Sequence, residues 1–215
     1  MNVAFLGEST EAKRFLILCL AKITSCHTKV TILSKYSYSF DEMYENYDYC
    51  GIEMLLLKDG DNSLTKVSEE KSNFIDAEDL INIPEEFKVI AISEPTRKSL
   101  ESCVKLAGDY ACFQPTLSLY IIHINIMEYC KIGKRYLDNY WEIGLPSFTE
   151  IVEIYELYFE EKNQIVMIES QYLNRLYIRS LSPSMKSVLR KIIQDIFSMD
   201  IREVKEVFKK AERMK

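Results

Sequence analysis

Asn2-Val3-Ala4-Phe5-Leu6-Gly7-Glu8-Ser9-Thr10-Glu11-Ala12-Lys13-Arg14-Phe15 is the stretch on which the reading of this chain turns. A short apolar run closed by glycine predicts a buried strand and a tight turn. Ser9 or Thr10 supplies a hydroxyl to cap a helix, and the apolar arc from Phe15 to Ile23 continues it. Residues 29–34, Lys-Val-Thr-Ile-Leu-Ser, are rich in β-branched side chains and predict the next strand. Strand, turn, helix and strand in so short a span make a βαβ unit, which gives a right-handed crossover and a parallel sheet.

Further along, strands are predicted at Ile52–Leu57, Lys88–Ser93 and Tyr120–Ile126, and at the sheet edge at Ile151–Ile154 and Gln164–Ile168. The stretch Tyr36 to Cys50 reads as a loop or short helix over the carboxyl edge of the sheet. Lys58–Lys71 reads as a polar turn segment, and Asp76–Leu80 as a helical turn. A helix is expected from Glu94-Pro95-Thr96 to about Ala107, stopped by Gly108, and a turn-plus-helix over Met127–Trp141. Two more helices follow, Met185–Phe197 behind Pro183 and Ile201–Arg213. The expected fold is a doubly wound α/β domain over 1–180, with a mainly parallel sheet, helices on both faces and a helical C-terminal segment, 181–215, packed on it.

The composition agrees with a globular protein: 215 residues, 47% hydrophobic, with 6 Gly and 5 Pro. Net charge is −6, which speaks against a phosphate-coating basic surface. Residues 181–215 carry nine Lys/Arg against five Asp/Glu, so the tail is +4 and the first 180 residues are −10. No apolar run reaches the ~20 residues of a membrane span. With no signal-peptide pattern at its start, the chain is expected to be cytoplasmic. The six cysteines have no metal-ligand spacing, and with only two histidines no metal site is expected. His123, alternating with isoleucines, reads as a hydrogen-bonded core residue. The pairs Glu85-Glu86 and Glu160-Glu161 read as solvated faces, so no catalytic residue is assigned.

Set against the phosphate-loop pattern G-x-x-x-x-G-K-[ST], the first turn matches at Gly7 and Lys13. Ala12 stands where the second glycine belongs, and Arg14 where a hydroxyl would hold magnesium. An arginine cannot coordinate a cation, so magnesium-dependent turnover is not expected. Against the dinucleotide pattern G-x-G-x-x-G only Gly7 survives, and Ser34-Lys35 replace the ribose-binding acid, which leaves a dinucleotide-binding oxidoreductase as a remote reading.

These features, with the strand-and-loop phrase Val-Ile-Ala-Ile-Ser-Glu-Pro-Thr over residues 89–96 and Ser99-Leu100 behind it, resemble the MinD/ParA group of P-loop ATPases. The resemblance implies a base-proximal asparagine, which would be Asn125. The chain departs from the group at Glu8, where a signature lysine belongs, and at Arg14, and no apolar strand ending in a catalytic aspartate is found. As a degenerate member it would be similar to TadZ/CpaE-like localisation proteins. It would then be a scaffold or positioning protein acting through a homodimer and protein partners. A competing reading keeps Gly7 and Lys13 as an ATP- or ADP-binding switch.

Two surfaces are candidates for contacts. Tyr36, Tyr38, Tyr44 and Tyr47 supply rigid amphipathic area suited to a protein interface, while Asp41, Glu42, Glu45 and Asp48 among them would repel nucleic acid. The last helix is amphipathic, with Val204, Val207 and Phe208 on one stripe and Lys209 among the basic residues outside it. Residues 200–215 could lie on a membrane surface, on a partner, or on the chain's own body.

Overall fold

The computed structural model describes residues 1–38, 45–57, 70–79, 83–114 and 117–214. Among them, eight strands form one sheet: β1 Asn2–Leu6, β2 Val30–Ser34, β3 Asn46–Tyr49, β4 Ile52–Leu56, β5 Ser72–Ala77, β6 Lys88–Ser93, β7 Ser118–Ile126 and β8 Glu150–Tyr158. Their spatial order is β3-β4-β2-β5-β1-β6-β7-β8, parallel throughout except for the β3–β4 hairpin. The helices are α1 Glu11–Thr24, α2 Arg97–Phe113, α3 Lys134–Gly144, α4 Glu161–Leu173, α5 Pro183–Phe197 and α6 Ile201–Ala211.

The alternation of side chains along the strands builds two cores. Val3, Phe5, Phe74, Ile90, Ile92 and Ile122 point to the face covered by α1, α5 and α6. Ala4, Leu6, Ile75, Ala91, Leu119 and Ile121 point to the face covered by α2 and α3. From β1 the chain winds to one side through α1 and β2, and from β6 to the other through α2 and β7. The β1–α1 turn therefore sits at the switch point, where the crevice of a doubly wound sheet lies.

Four sequence readings are corrected. The helical turn expected at Asp76–Leu80 is not seen over its described part, 76–79, because Ser72–Ala77 is a fully buried strand between β1 and β2; Leu80 lies outside the described residues. Asn46–Tyr49 is a strand, turned back by Cys50 (φ 54°) and Gly51 (φ 76°), the two left-handed positions of a tight hairpin. Gln164–Ile168 is helical and belongs to α4. α2 runs past Gly108 to Phe113, so that glycine is not a stop; a Cβ there would make only ordinary van der Waals contact, 3.6 Å from the Gly144 carbonyl oxygen. Most of the polar segment 58–71 lies outside the described residues.

α6 opens with a capping box between Asp200 and Glu203, the last turn carries Lys209 and Lys210, and its apolar stripe packs on α1 and α5. Val204, Val207 and Phe208 are buried there, so in this arrangement the stripe faces the chain's own body and not a membrane or a partner, while Lys209 is exposed. Among the described residues no helix is long and apolar enough to cross a membrane.

Candidate functional site

Gly7 leaves β1 with φ 119°, and a Cβ there would run into the Ile92 carbonyl, so the turn is tied to glycine. Thr10 caps α1: its hydroxyl accepts the Lys13 N–H at 3.2 Å and donates to Glu94 Oε1 at 2.9 Å. Because the helix is under way at Glu11, Lys13 is in its first turn and its side chain runs back to the strand ends.

Lys13 is 1% exposed. Its ammonium donates to the Gly7 carbonyl at 2.6 Å and the Ala77 carbonyl at 3.3 Å, and ion-pairs with Asp76 Oδ1 at 2.7 Å. Three partners match the three donors of an ammonium group. The other carboxylate oxygen, Asp76 Oδ2, accepts from Ser9 Oγ at 2.7 Å, Tyr38 Oη at 3.2 Å and Ser34 Oγ at 3.4 Å. The Tyr38 phenol is held well above its usual range, by burial first and by the Asp76 charge second.

Around this pair the charges are mixed. Glu8 faces Lys98 at 3.5 Å and Lys35 faces Asp79 at 2.9 Å. Tyr36 is pushed up to about 12 by its hydrogen bond to Glu78. Arg14 points away from the turn: it donates to the Ser37 carbonyl at 2.9 Å, meets Glu11 at 3.2 Å, and its guanidinium lies 6.0 Å from the centre of the Tyr38 ring.

Of the residues singled out in the sequence, the structure brings Gly7 and Lys13 together. Asn125 lies two strands away, at a bulge in the β7–β8 pairing with φ 57°. It lines a crevice of ≈ 40 Å³ with Ala12, Tyr158 and Asn163, room for little more than water. Tyr38 belongs to the buried cluster, Tyr47 receives the Tyr38 N–H at 2.9 Å, Tyr36 is 44% exposed, and Tyr44 lies outside the described residues.

The sequence reading missed Asp76. The signal was the apolar pair Phe74-Ile75 followed by Asp76, which lies in the strand Ser72–Ala77. Ser93, at the end of β6, hydrogen-bonds His123 Nδ1 at 3.1 Å. His123 is fully buried, as expected for a core histidine, with its pKa lowered to about 4 by burial above all, Glu156 opposing and Lys134 assisting. Among the described residues no group of three or more His, Cys, Asp or Glu could hold a metal.

The geometry defines a doubly wound α/β protein with a lysine-bearing turn at its switch point. No family model and no curated protein matches the sequence. Solved structures do match its fold, which is MinD/ParA-like. The MinC:MinD cell division protein complex of Aquifex aeolicus is similar at TM-score 0.61 and 11% identity, over 93% of this chain and 97% of that one. A ParA family ATPase from Chlorobium tepidum TLS is similar at TM-score 0.54 and 9% identity, over 98% and 97%. A plasmid partition protein from Borrelia burgdorferi B31, solved with AMPPNP, gives 0.50 and 10%, over 97% and 98%.

Proposed function

We propose that this chain is a non-catalytic positioning protein of MinD/ParA-like fold, with a phosphate loop that has lost its ligand and closed on itself. The observation that carries the reading is the commitment of Lys13. In a working loop the lysine neutralises phosphate charge, whereas here Gly7, Ala77 and Asp76 hold the ammonium in a buried pocket. A polyphosphate would have to displace Asp76 from Lys13 and enter beside Glu8 and Glu94.

A magnesium triphosphate does not fit the residues present. Arg14 replaces the metal-holding hydroxyl and turns toward Ser37, and Asp76, the carboxylate placed to support a metal, is spent on Lys13. Asn125 borders a crevice too small for a base. No phosphoryl-transfer step is assigned to this chain, and nucleotide is not a cofactor of it.

Such a protein acts by contact. Exposed large apolar side chains gather where strands end, at Met127, Tyr129, Tyr158 and Phe159, and along α4 at Ile165 and Ile168. These residues, and separately Tyr36 beyond β2, are the surfaces offered to a second copy or a partner protein. The MinD of Aquifex aeolicus, solved in complex with MinC, supports partner contact as the working mode of this fold. In a bacterial setting the role would be that of the TadZ/CpaE-like localisation proteins.

The test is thermal unfolding of the chain with ATP, ADP and NAD(P)H, each with and without magnesium. A ligand at 100 times its dissociation constant stabilises by about 2.7 kcal/mol, an easily read shift in melting temperature. The proposal expects no shift with any nucleotide. A magnesium-dependent shift with ATP, abolished in Lys13→Ala, would establish the nucleotide switch in its place.

A further inference from the structure

The arginine that stands in the metal-binding position lines a different cavity. This space of ≈ 240 Å³ lies between α1 and α4, walled by Glu11, Arg14 and Phe15 from α1, Tyr38 and Tyr49 from the segments beside it, and Met167 from α4. Most polar groups in the wall are already engaged. Tyr49 donates its hydroxyl to the Ser170 carbonyl at 3.3 Å, Tyr38 donates to Asp76 at 3.2 Å, and Ser170 Oγ donates to the Met167 carbonyl at 2.7 Å. Gln171 donates to Glu11, so what the wall presents inward is ring and thioether surface beside a comparable area of engaged polar groups.

Arg14 is the wall's one cation, and it is incompletely compensated. Of its five N–H donors, Nη1 reaches the Ser37 carbonyl, Nη2 reaches Glu11, and Nε is buried without a hydrogen-bond partner. The Glu11 side chain is 60% exposed, so water screens that ion pair and little is lost if it opens. A guanidinium fork beside ring surface matches the planar, bidentate geometry of a carboxylate. Two features select among anions. The volume suits one aromatic ring, and the nearby Glu11 and Asp76 carboxylates disfavour a doubly charged phosphate.

We infer that the cavity between α1 and α4 binds a small aromatic monocarboxylate, its carboxylate on Arg14 and its ring among Phe15, Tyr49 and Met167. The site borders the Lys13–Asp76 pair through Tyr38 but does not use the ammonium, and it goes beyond the reading of the loop, so either can fail without the other.

The test uses the full chain with its eight methionines labelled at the methyl carbon, titrated with benzoate and with its uncharged isostere benzamide. The inference expects the Met167 methyl resonance to shift saturably with benzoate while that of Met54, buried in the sheet, stays in place. It expects benzamide to bind more weakly by about tenfold or more, the worth of a charge-assisted hydrogen bond. Arg14→Gln should lose the same factor and Arg14→Lys should recover part of it. No saturable shift at Met167, equal binding of benzamide, or unchanged benzoate binding in Arg14→Gln would each overturn it. The benzoate and benzamide comparison is made on the unsubstituted chain and decides the matter should Arg14→Gln fail to fold.

Discussion

Replacing Lys13 by methionine keeps the length of the side chain and removes the charge that faces Asp76 at 2.7 Å, where both side chains are at most 1% exposed. A buried ion pair broken from one side costs about 3–5 kcal/mol, because the remaining charge is left without a counter-ion. Asp76 keeps the hydrogen bonds from Ser9 and Tyr38, which places the expected cost at the lower end, about 3 kcal/mol. For a chain of this size that corresponds to a fall in melting temperature of roughly 6–12 °C. Urea denaturation measures the loss as a lower midpoint at unchanged slope. Adding Asp76→Asn should then recover stability instead of lowering it further, with a coupling energy of about 1–3 kcal/mol in the double-mutant cycle. A lysine kept free for a ligand would behave otherwise, its loss changing stability by about 0.5 kcal/mol or less. That result for Lys13→Met, or simple additivity with Asp76→Asn, would refute the reasoning.

Three more outcomes are expected. His123 has a folded pKa of about 4 against its ordinary 6.5, so the unfolded chain binds the extra proton between those values. Stability should fall as pH drops from about 6.5 to about 4, by about 3 kcal/mol in all, and His123→Gln should flatten that slope in urea midpoints taken across the range. Phe208→Ala should cost about 3–5 kcal/mol by leaving a cavity under α6, while the exposed Lys209→Ala should change stability by no more than about 0.5 kcal/mol. Equal, small effects of the two would mean that α6 is not docked. Gly7→Ala should destabilise by at least about 1–3 kcal/mol, through its φ of 119° and the Ile92 carbonyl in its way, read again from the urea midpoint.

Much of the fold could be read from the sequence wherever one pattern carried it. β1, β2, β6 and β7 are continuous apolar runs bounded by turn residues, and Gly7, Pro183 and the α6 stripe mark real punctuation. What could not be read depends on partners distant in the chain. Ser72, Asn73 and Asp76 look like loop residues, yet each is buried in β5, and Asn73 and Asp76 are satisfied there by Asn2 and Lys13. α4 was mistaken for a strand because Ile165 and Ile168 face outward while Val166 and Met167 face inward, which blurs the helical period. The candidate site was half legible. Gly7 and Lys13 follow from the motif, and so does the replacement of the metal-holding hydroxyl by Arg14. That Lys13 would be buried against Asp76, 63 positions along the chain, follows only from the placing of β5 beside β1.

The central claim is that the Lys13 ammonium is committed inside the protein. Nitrogen-15 NMR of the lysine side chains tests this most directly, since a buried, hydrogen-bonded ammonium exchanges its protons slowly enough to be seen while exposed ones do not. The account predicts one protected resonance, lost in Lys13→Met, that reports contact with Asp76 and does not move when magnesium and ATP are added. A Lys13 signal that exchanges with water as fast as the surface lysines, or that shifts saturably with magnesium and ATP, would contradict it.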